Sequence, residues 1–196
     1  TLCVGKGVPS NAKLFTRSSD VIPGGVNSSI RAFKSVGGSP YIVARGNGAH
    51  IWDVEGKKYV DLVQSYGAII LGHAHPAVTT AIQQAALDGT SYGAPTPREM
   101  KLAEAISSRV ASCEQVRLMN SGTEATMSAI RVARGATGRP KILKFAGNYH
   151  GHSDGLLVSG GTAMASLGIP ASAGVTDNAI ADTVVAPYNV VPTLDE

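Results

Sequence analysis

Cysteine is scarce in this sequence of 196 residues, which contains only Cys3 and Cys113. Two thiols so far apart do not suggest a disulfide framework, so we expect a reducing compartment and predict that the protein is cytoplasmic. Long apolar runs are also missing, since none approaches the ~18 residues that a membrane-spanning helix needs. We therefore predict a protein without a membrane span.

A strong excess of charge of either sign is absent as well. The 17 Lys and Arg residues and the 14 Asp and Glu residues give a net charge of only +3, and the basic residues are dispersed. Their densest pair, Lys57 and Lys58, lies in a predicted hairpin turn, so we expect no nucleic-acid partner. With 43% hydrophobic and 16% charged residues, the composition is that of a globular protein.

Two common kinds of ligand motif are missing. Neither G-x-x-x-x-G-K-[ST] nor G-x-G-x-x-G occurs, so a nucleotide is not indicated. The histidines form two pairs, His73/His75 and His150/His152, but no Cys or carboxylate cluster completes a site with the spacing that metals require. We therefore predict no metal, and we expect His75 to cap the helix that begins at Pro76.

In the first half of the chain, turn-forming residues separate helices from short strands. Ser10 is placed to cap a helix over about 11–21, which the Pro-Gly-Gly sequence at 23–25 ends. The segments YIVAR, HIWDV and KYVDL, within residues 40–63, surround glycine-containing turns and predict an antiparallel meander. A helix over about 76–87 follows, with Pro at its first position.

The second half alternates helices with strands. Thr96 and Glu99 form a capping box ahead of an apolar helix. After it come a predicted strand QVRLM (115–119), a helix over about 123–136, a strand KILKF and a last strand in DTVVAPYN. Because strands that alternate with helices are parallel and joined by right-handed crossovers, we predict an α/β fold with a mainly parallel sheet.

The turn between QVRLM and its helix contains Ser121, Gly122 and Thr123. If QVRLM is a strand, this turn lies at the sheet edge where open parallel sheets bind ligands. The unpaired amides and positive dipole end of the helix then favour a phosphate, although a simple helix cap is the alternative. Tyr149 follows the next strand and would bring an aromatic ring to the same edge, with His150 packing or hydrogen-bonding behind it. This arrangement suits a planar phosphorylated ligand.

The sequence also contains the segments PGGVNSSIRAF, LGHAHP, SYGAPTP, MNSGTEATMSAIRVARG and YHGHSD. Together they resemble the glutamate-1-semialdehyde 2,1-aminomutases, which are pyridoxal-phosphate enzymes of the class III aminotransferase family. The resemblance covers about residues 10–189 and implies fold type I, with helices on both faces of the sheet. It further implies that residues 1–63 form an N-terminal segment of a small domain, and that residues 64–196 form the first part of a large cofactor-binding domain.

The resemblance implies roles for individual residues. The implied cofactor-binding residues are Ser121, Gly122, Thr123, Tyr149 and His150. The implied substrate-binding residues are Ser28, Arg31, Tyr66 and Thr162. Arg31 would pair with a substrate carboxylate, whereas without the family it would be taken for a solvated surface charge. Tyr66 stands where the family usually has Trp. The segment 153–176 would be a mobile loop that closes over the site, or else an ordinary surface loop.

For an intact protein, the resemblance implies conversion of glutamate 1-semialdehyde to 5-aminolevulinate in tetrapyrrole biosynthesis, with pyridoxal 5'-phosphate or pyridoxamine 5'-phosphate as cofactor. The Schiff-base lysine is expected beyond position 196, so we expect a truncated chain that has no catalytic residue and is inactive alone. The alternatives are a class III ω-aminotransferase and a non-catalytic module without the lysine. A homodimer and a transient contact with glutamyl-tRNA reductase are expected by analogy.

Overall fold

The structure is a computed structural model that describes residues 9–34, 36–158 and 172–189. The chain divides into two compact units, Thr1–Gly93 and Ala94–Glu196, which are described separately. Among the described residues, no helix is both long and apolar enough to cross a membrane. The division into segments 1–63 and 64–196 stays a prediction.

The first unit begins with helix α1, which spans Asn11–Val21 as predicted. Its N-cap Ser10 accepts a hydrogen bond from the amide of Lys13 at 3.4 Å, which satisfies one of the amides that the first turn of a helix leaves unpaired. Two short 3₁₀ turns follow, Pro23–Gly25 and Ser29–Ala32.

Three strands then form the predicted antiparallel meander. Their bounds are β1 Val43–Asn47, β2 His50–Asp53 and β3 Lys58–Val60. The central strand, β2, pairs with both neighbours, and Ile51 on this strand lies opposite Tyr59. Ile51 is one of the few apolar side chains that are buried within the described residues.

The carboxylate of Asp53 ties this unit together. Asp53 is only 1% exposed, and its Oδ1 accepts the amides of Glu55 and Lys57 at 3.0 and 2.9 Å. Its Oδ2 accepts the Tyr59 hydroxyl at 2.8 Å and the Asn11 side-chain amide at 3.1 Å. Burial alone would raise the pKa of the Asp53 carboxyl, but these four donors hold it below its ordinary value. One carboxylate therefore closes the β2–β3 hairpin and fixes the start of α1 to it.

A 3₁₀ turn at Gln64–Gly67 leads to helix α2, Pro76–Leu87, which has Pro at its first position as predicted. His75 occupies the N-cap position, but its side chain makes no capping hydrogen bond. Its Nδ1 is buried and has no hydrogen-bond partner among the described residues. The prediction that His75 caps this helix is therefore wrong. Capping needs a side-chain oxygen that reaches the second or third amide, as the short side chains of Ser, Thr, Asp and Asn do.

The second unit contains the helices expected from its capping residues. Helix α3 spans Pro97–Ser107, and its N-cap Thr96 accepts the amide of Glu99 at 3.4 Å and donates to the carboxylate of the same residue at 3.1 Å. Helix α4 spans Gly122–Thr137 and ends at Gly138, which adopts the left-handed conformation that glycine favours.

Two parallel strands lie beyond α4. Strand β4, Ile142–Phe145, and strand β5, Thr183–Ala186, pair in parallel, which confirms the strands predicted in KILKF and DTVVAPYN. A 3₁₀ turn, Asp154–Leu156, and a short helix α5, Asp177–Ile180, lie between them along the chain. Leu156 and Ala186 are buried.

Residues 115–119, QVRLM, were predicted as a strand, and this prediction is wrong for the structure. They make no ladder hydrogen bonds within the described residues, and β4 pairs with β5 instead. An apolar run specifies a buried or extended segment, but a strand exists only where a neighbour supplies partners for its backbone groups. The sheet edge expected beside Ser121 is therefore not formed by these residues.

We predict that Asp53→Ala lowers the free energy of unfolding by about 3 kcal/mol, because it leaves four buried or half-buried donors without their acceptor. Asp20→Ala is the control, since Asp20 is exposed on α1 and makes no contact with other described residues. It should change stability by less than about 0.5 kcal/mol. Urea unfolding of both variants provides the measurement, and equal losses would contradict the role assigned to Asp53.

Candidate functional site

The first turn of α4 is open and carries unpaired amides. The hydroxyl of Ser121 accepts the amide of Glu124 at 3.2 Å and donates to its carboxylate at 3.2 Å, so Ser121 does cap the helix. The amides of Gly122 and Thr123 make no hydrogen bond within the described residues. A Cβ built on Gly122 would meet no atom of the described residues within 4 Å, which leaves room for a ligand to approach the backbone here. Capping and anion binding are thus compatible, because the cap uses a different amide.

The loop that carries Tyr149 lies against this same turn. Gly151 has a φ of +93°, and a Cβ at this position would lie 2.6 Å from Oγ1 and 2.8 Å from Cα of Thr123. The amide of His152 donates to Thr123 Oγ1 at 3.2 Å. The structure thereby confirms that the two segments meet. They meet through direct contact, and not through the pairing of QVRLM with β4 that was expected.

The two side chains predicted to flank a ligand ring are exposed. Tyr149 is 70% exposed, and neither Tyr149 nor His150 makes a side-chain hydrogen bond or ring contact within the described residues. An exposed phenol next to a helix start can cover a flat ligand without first breaking other contacts. The roles of both residues stay predictions.

Sequence reasoning missed two residues that hold the other end of this loop. Lys144 on β4 is buried and donates to the carbonyl of Leu156 at 2.8 Å, and burial lowers the pKa of its ammonium group. The hydroxyl of Thr183 on β5 donates to the carbonyl of Gly155 at 2.6 Å. The sequence did contain a signal for Lys144. Alternate residues of a strand share one face, so the strand KILKF places Lys144 on the same face as the apolar Ile142.

The loop from Tyr149 to Leu156 is therefore fastened at two places. Gly151 and His152 lie against the first turn of α4, and the turn at 154–156 is hydrogen-bonded to β4 and β5. Two fixed ends restrict the conformations of the few residues around Tyr149, which lowers the entropic cost of ordering them around a ligand.

The predicted substrate-binding residues Ser28, Arg31 and Tyr66 belong to the first unit. Ser28 precedes the 3₁₀ turn at 29–32 in the first unit, and its carbonyl accepts the amide of Arg31 at 2.9 Å. The Arg31 side chain is exposed and makes no hydrogen bond or ion pair within the described residues, and Tyr66 is 69% exposed. Thr162 and most of the predicted mobile loop, 153–176, lie outside the described residues.

The histidine pairs do not form a metal site in the described part of the chain. No group of three or more His, Cys, Asp or Glu side chains comes together there. His73 is instead bound to Asp61, with 2.6 Å between Nε2 and Oδ2.

We predict that Gly151→Ala is more destabilising than Gly174→Ala. Both glycines have similar left-handed φ values, +93° and +98°, so both variants incur the same backbone strain of about 1–2 kcal/mol. The new methyl group at 151 would collide with Thr123, whereas one at 174 would meet no atom of the described residues within 4 Å. The collision should add about 1–3 kcal/mol to the loss measured by urea unfolding. Equal losses would show that the loop does not rest on α4.

Comparisons with known proteins identify the family of this chain. The pattern of the class III aminotransferases matches residues 33–192. A glutamate-1-semialdehyde 2,1-aminomutase of Leptothrix cholodnii is 57% identical over 189 residues, which is 96% of this chain and 43% of the relative. The chain thus spans less than half the length of this curated relative.

Solved structures are similar over nearly the whole chain. An ω-transaminase from Sphaerobacter thermophilus has a TM-score of 0.83 at 35% identity, over 97% of this chain and 44% of its own. A variant glutamate-1-semialdehyde-aminomutase from Pseudomonas aeruginosa PAO1, in complex with PMP, has a TM-score of 0.76 at 26% identity, over 94% of this chain and 40% of its own. The fold is that of the type I pyridoxal-phosphate enzymes, and the chain belongs to the class III aminotransferase family.

Proposed function

We propose that the full-length protein carrying this sequence is a pyridoxal-phosphate-dependent isomerase that converts glutamate 1-semialdehyde to 5-aminolevulinate, a step of tetrapyrrole biosynthesis. The observation that carries the proposal is the 57% identity to the Leptothrix aminomutase over 96% of the chain. Further curated aminomutases are 55% to 58% identical over 94% or 95% of the chain, which supports the same reaction. The solved structures do not separate the two activities in this way, since the ω-transaminase is 35% identical and the Pseudomonas aminomutase 26%.

The first turn of α4 fits the phosphate of pyridoxal 5'-phosphate or pyridoxamine 5'-phosphate. The amides of Gly122 and Thr123 would donate to the phosphate oxygens, and the helix dipole favours the same negative charge. The Ser121 hydroxyl, which now donates to Glu124, can turn toward the phosphate. When bound, the cofactor carries the amino group and takes up electron density from the reacting carbon atoms of the substrate.

The remaining site residues would bind and orient the two molecules. Tyr149 would stack on the cofactor ring, with His150 beside it, because the loop holds both next to the phosphate-binding turn. The implied substrate-binding residues are Ser28, Arg31, Tyr66 and Thr162. Arg31 supports this assignment, since its exposed guanidinium makes no hydrogen bond or ion pair within the described residues and could pair with the substrate carboxylate.

Three further features rest on family analogy alone. We propose that the full-length protein is a homodimer, that it works in the cytoplasm, and that it receives its unstable aldehyde substrate through transient contact with glutamyl-tRNA reductase. A mobile loop at 153–176 that retains the reacting molecules would complete the site.

Turnover without an external amino compound tests the reaction. We expect the full-length protein, loaded with pyridoxamine 5'-phosphate, to form many equivalents of 5-aminolevulinate from glutamate 1-semialdehyde alone. An isomerase recovers its nitrogen from the same substrate, whereas an ω-aminotransferase must be recharged. The similarity to the Sphaerobacter enzyme makes the ω-aminotransferase the second candidate. A single equivalent of the diamine that forms when the cofactor's amino group passes to the aldehyde, with further turnover only after an amino donor is added, would establish it and overturn the isomerase.

Arg31→Ala tests the substrate carboxylate site. Loss of a charge-assisted pair should raise KM about 10- to 100-fold, while the visible absorbance of the bound cofactor stays unchanged. Arg17→Ala is the matched control, because Arg17 is exposed on α1 and makes no contact with other described residues. An unchanged KM in Arg31→Ala would remove this residue from the site.

A further inference from the structure

The half-buried pair of Asp61 and His73 connects the meander to the segment that carries Tyr66. His73 Nε2 lies 2.6 Å from Asp61 Oδ2, and the two side chains are 19% and 10% exposed. A contact this short between a ring nitrogen and a carboxylate is a charge-assisted hydrogen bond, because its acceptor is ionised. The hydrogen bond to His73, followed by the amide of Gln64, lowers the pKa of the Asp61 carboxyl.

The other oxygen of Asp61 fixes the start of the Tyr66 turn. Asp61 Oδ1 accepts the amides of Val63 and Gln64, each at 3.0 Å. Both residues stand at the entrance to the 3₁₀ turn Gln64–Gly67. The carboxylate therefore orients the backbone immediately before Tyr66.

This turn needs outside support, because its backbone is strained. Gln64, Ser65 and Tyr66 all have positive φ values, of 47°, 50° and 58°. A left-handed conformation costs a residue other than glycine about 1–2 kcal/mol, and three in succession persist only where surrounding contacts hold them. Within the described residues, the hydrogen bonds to Asp61 are the side-chain contacts that reach this segment.

His73 is in turn fixed by the edge of the meander. It exchanges two backbone hydrogen bonds with Gly48, both at 2.9 Å. Its ring occupies the space that a side chain at Gly46 would need, since a Cβ there would lie 2.6 Å from Cγ of His73. The ring is thus held by the β1–β2 hairpin, and it can hold Asp61 in place.

We propose that Asp61 and His73 are positioning residues that set the left-handed turn at 64–66 and thereby the place of the Tyr66 ring in the substrate pocket. Neither side chain needs to touch the substrate. The inference deepens the proposed function and rests on it in one respect, namely that Tyr66 lines the pocket.

The experiment compares His73→Asn with His73→Gln in the full-length protein. The Gln amide can place a donor near the position of the His Nε2 atom, whereas the shorter Asn amide cannot reach Asp61. We expect His73→Asn to speed amide hydrogen exchange at Val63 and Gln64 about tenfold or more, and to raise KM for glutamate 1-semialdehyde about tenfold with a smaller change in kcat. His73→Gln should bring both the exchange rate and KM most of the way back to the wild-type values.

Two controls keep the result specific. His50→Asn alters a histidine on β2 of the same unit that has no hydrogen bond to Asp61, so exchange at 63 and 64 should stay at the wild-type rate. Asp61→Asn is the second loosening variant, should His73→Asn fail to fold, because a neutral amide oxygen is a weaker acceptor for the two backbone amides than a carboxylate, and its NH2 group cannot accept a proton from His73 Nε2.

Each outcome decides between the alternatives. An unchanged rate of amide hydrogen exchange in His73→Asn would overturn the positioning role. Faster exchange with an unchanged KM would show that the pair sets the turn but does not influence the substrate pocket. If the wild-type protein does not turn over the semialdehyde, the proposed function fails alone, because the exchange measurement still decides whether the pair sets the turn.

Discussion

The close approach of Gly151 to Thr123 is the contact on which the candidate cofactor site depends. A helix start with open amides attracts any anion, and it is common in α/β proteins. It becomes selective for a flat phosphorylated molecule only when an aromatic residue is held beside it. Here a glycine allows the Tyr149 loop to touch the first turn of α4, and no residue with a Cβ could take its place without displacing Thr123. The geometry of the candidate site is therefore set by backbone packing and not by the exposed side chains themselves.

Buried and half-buried polar side chains determine the shape of the loops in both units. Asp53 closes a hairpin, Asp61 holds the turn before Tyr66, and Lys144 holds the turn at 154–156. Each one satisfies backbone groups that have no partner in a helix or a sheet, which is the condition for a loop to be ordered. Few apolar side chains are buried in the described residues, so these hydrogen bonds have a large share in specifying the loop conformations.

The parts of the fold that follow from local chemistry could be predicted from the sequence. Ser10, Thr96 and Ser121 begin their helices as their side chains indicate, because a cap needs only neighbouring amides. Local chemistry could not show that residues 115–119 form no strand, since a strand depends on partners that are distant in the sequence. The His75 cap failed for a related reason, because the identity of a residue at the N-cap position does not fix where its ring nitrogen lies. The contacts of Asp61 with His73 and of Lys144 with Leu156 were also not predictable, because each joins residues that are 12 positions apart and share no motif.

Cofactor binding and substrate choice place different demands on the chain. A phosphate needs only amides and a dipole, so a site of that kind at α4 suits an ω-aminotransferase and an aminomutase equally well. Substrates that differ from one another only in their aldehyde and carboxylate groups must be distinguished by charge and by the shape of the pocket. The segment PGGVNSSIRAF, which resembles the aminomutases in particular, contains Arg31 and lies in the first unit. That unit also supplies Tyr66 in a strained turn, where a small change in backbone angles moves a large ring. Differences in reaction between members of this family are thus expected to arise from residues that fix loops of the first unit, while the phosphate-binding turn stays the same.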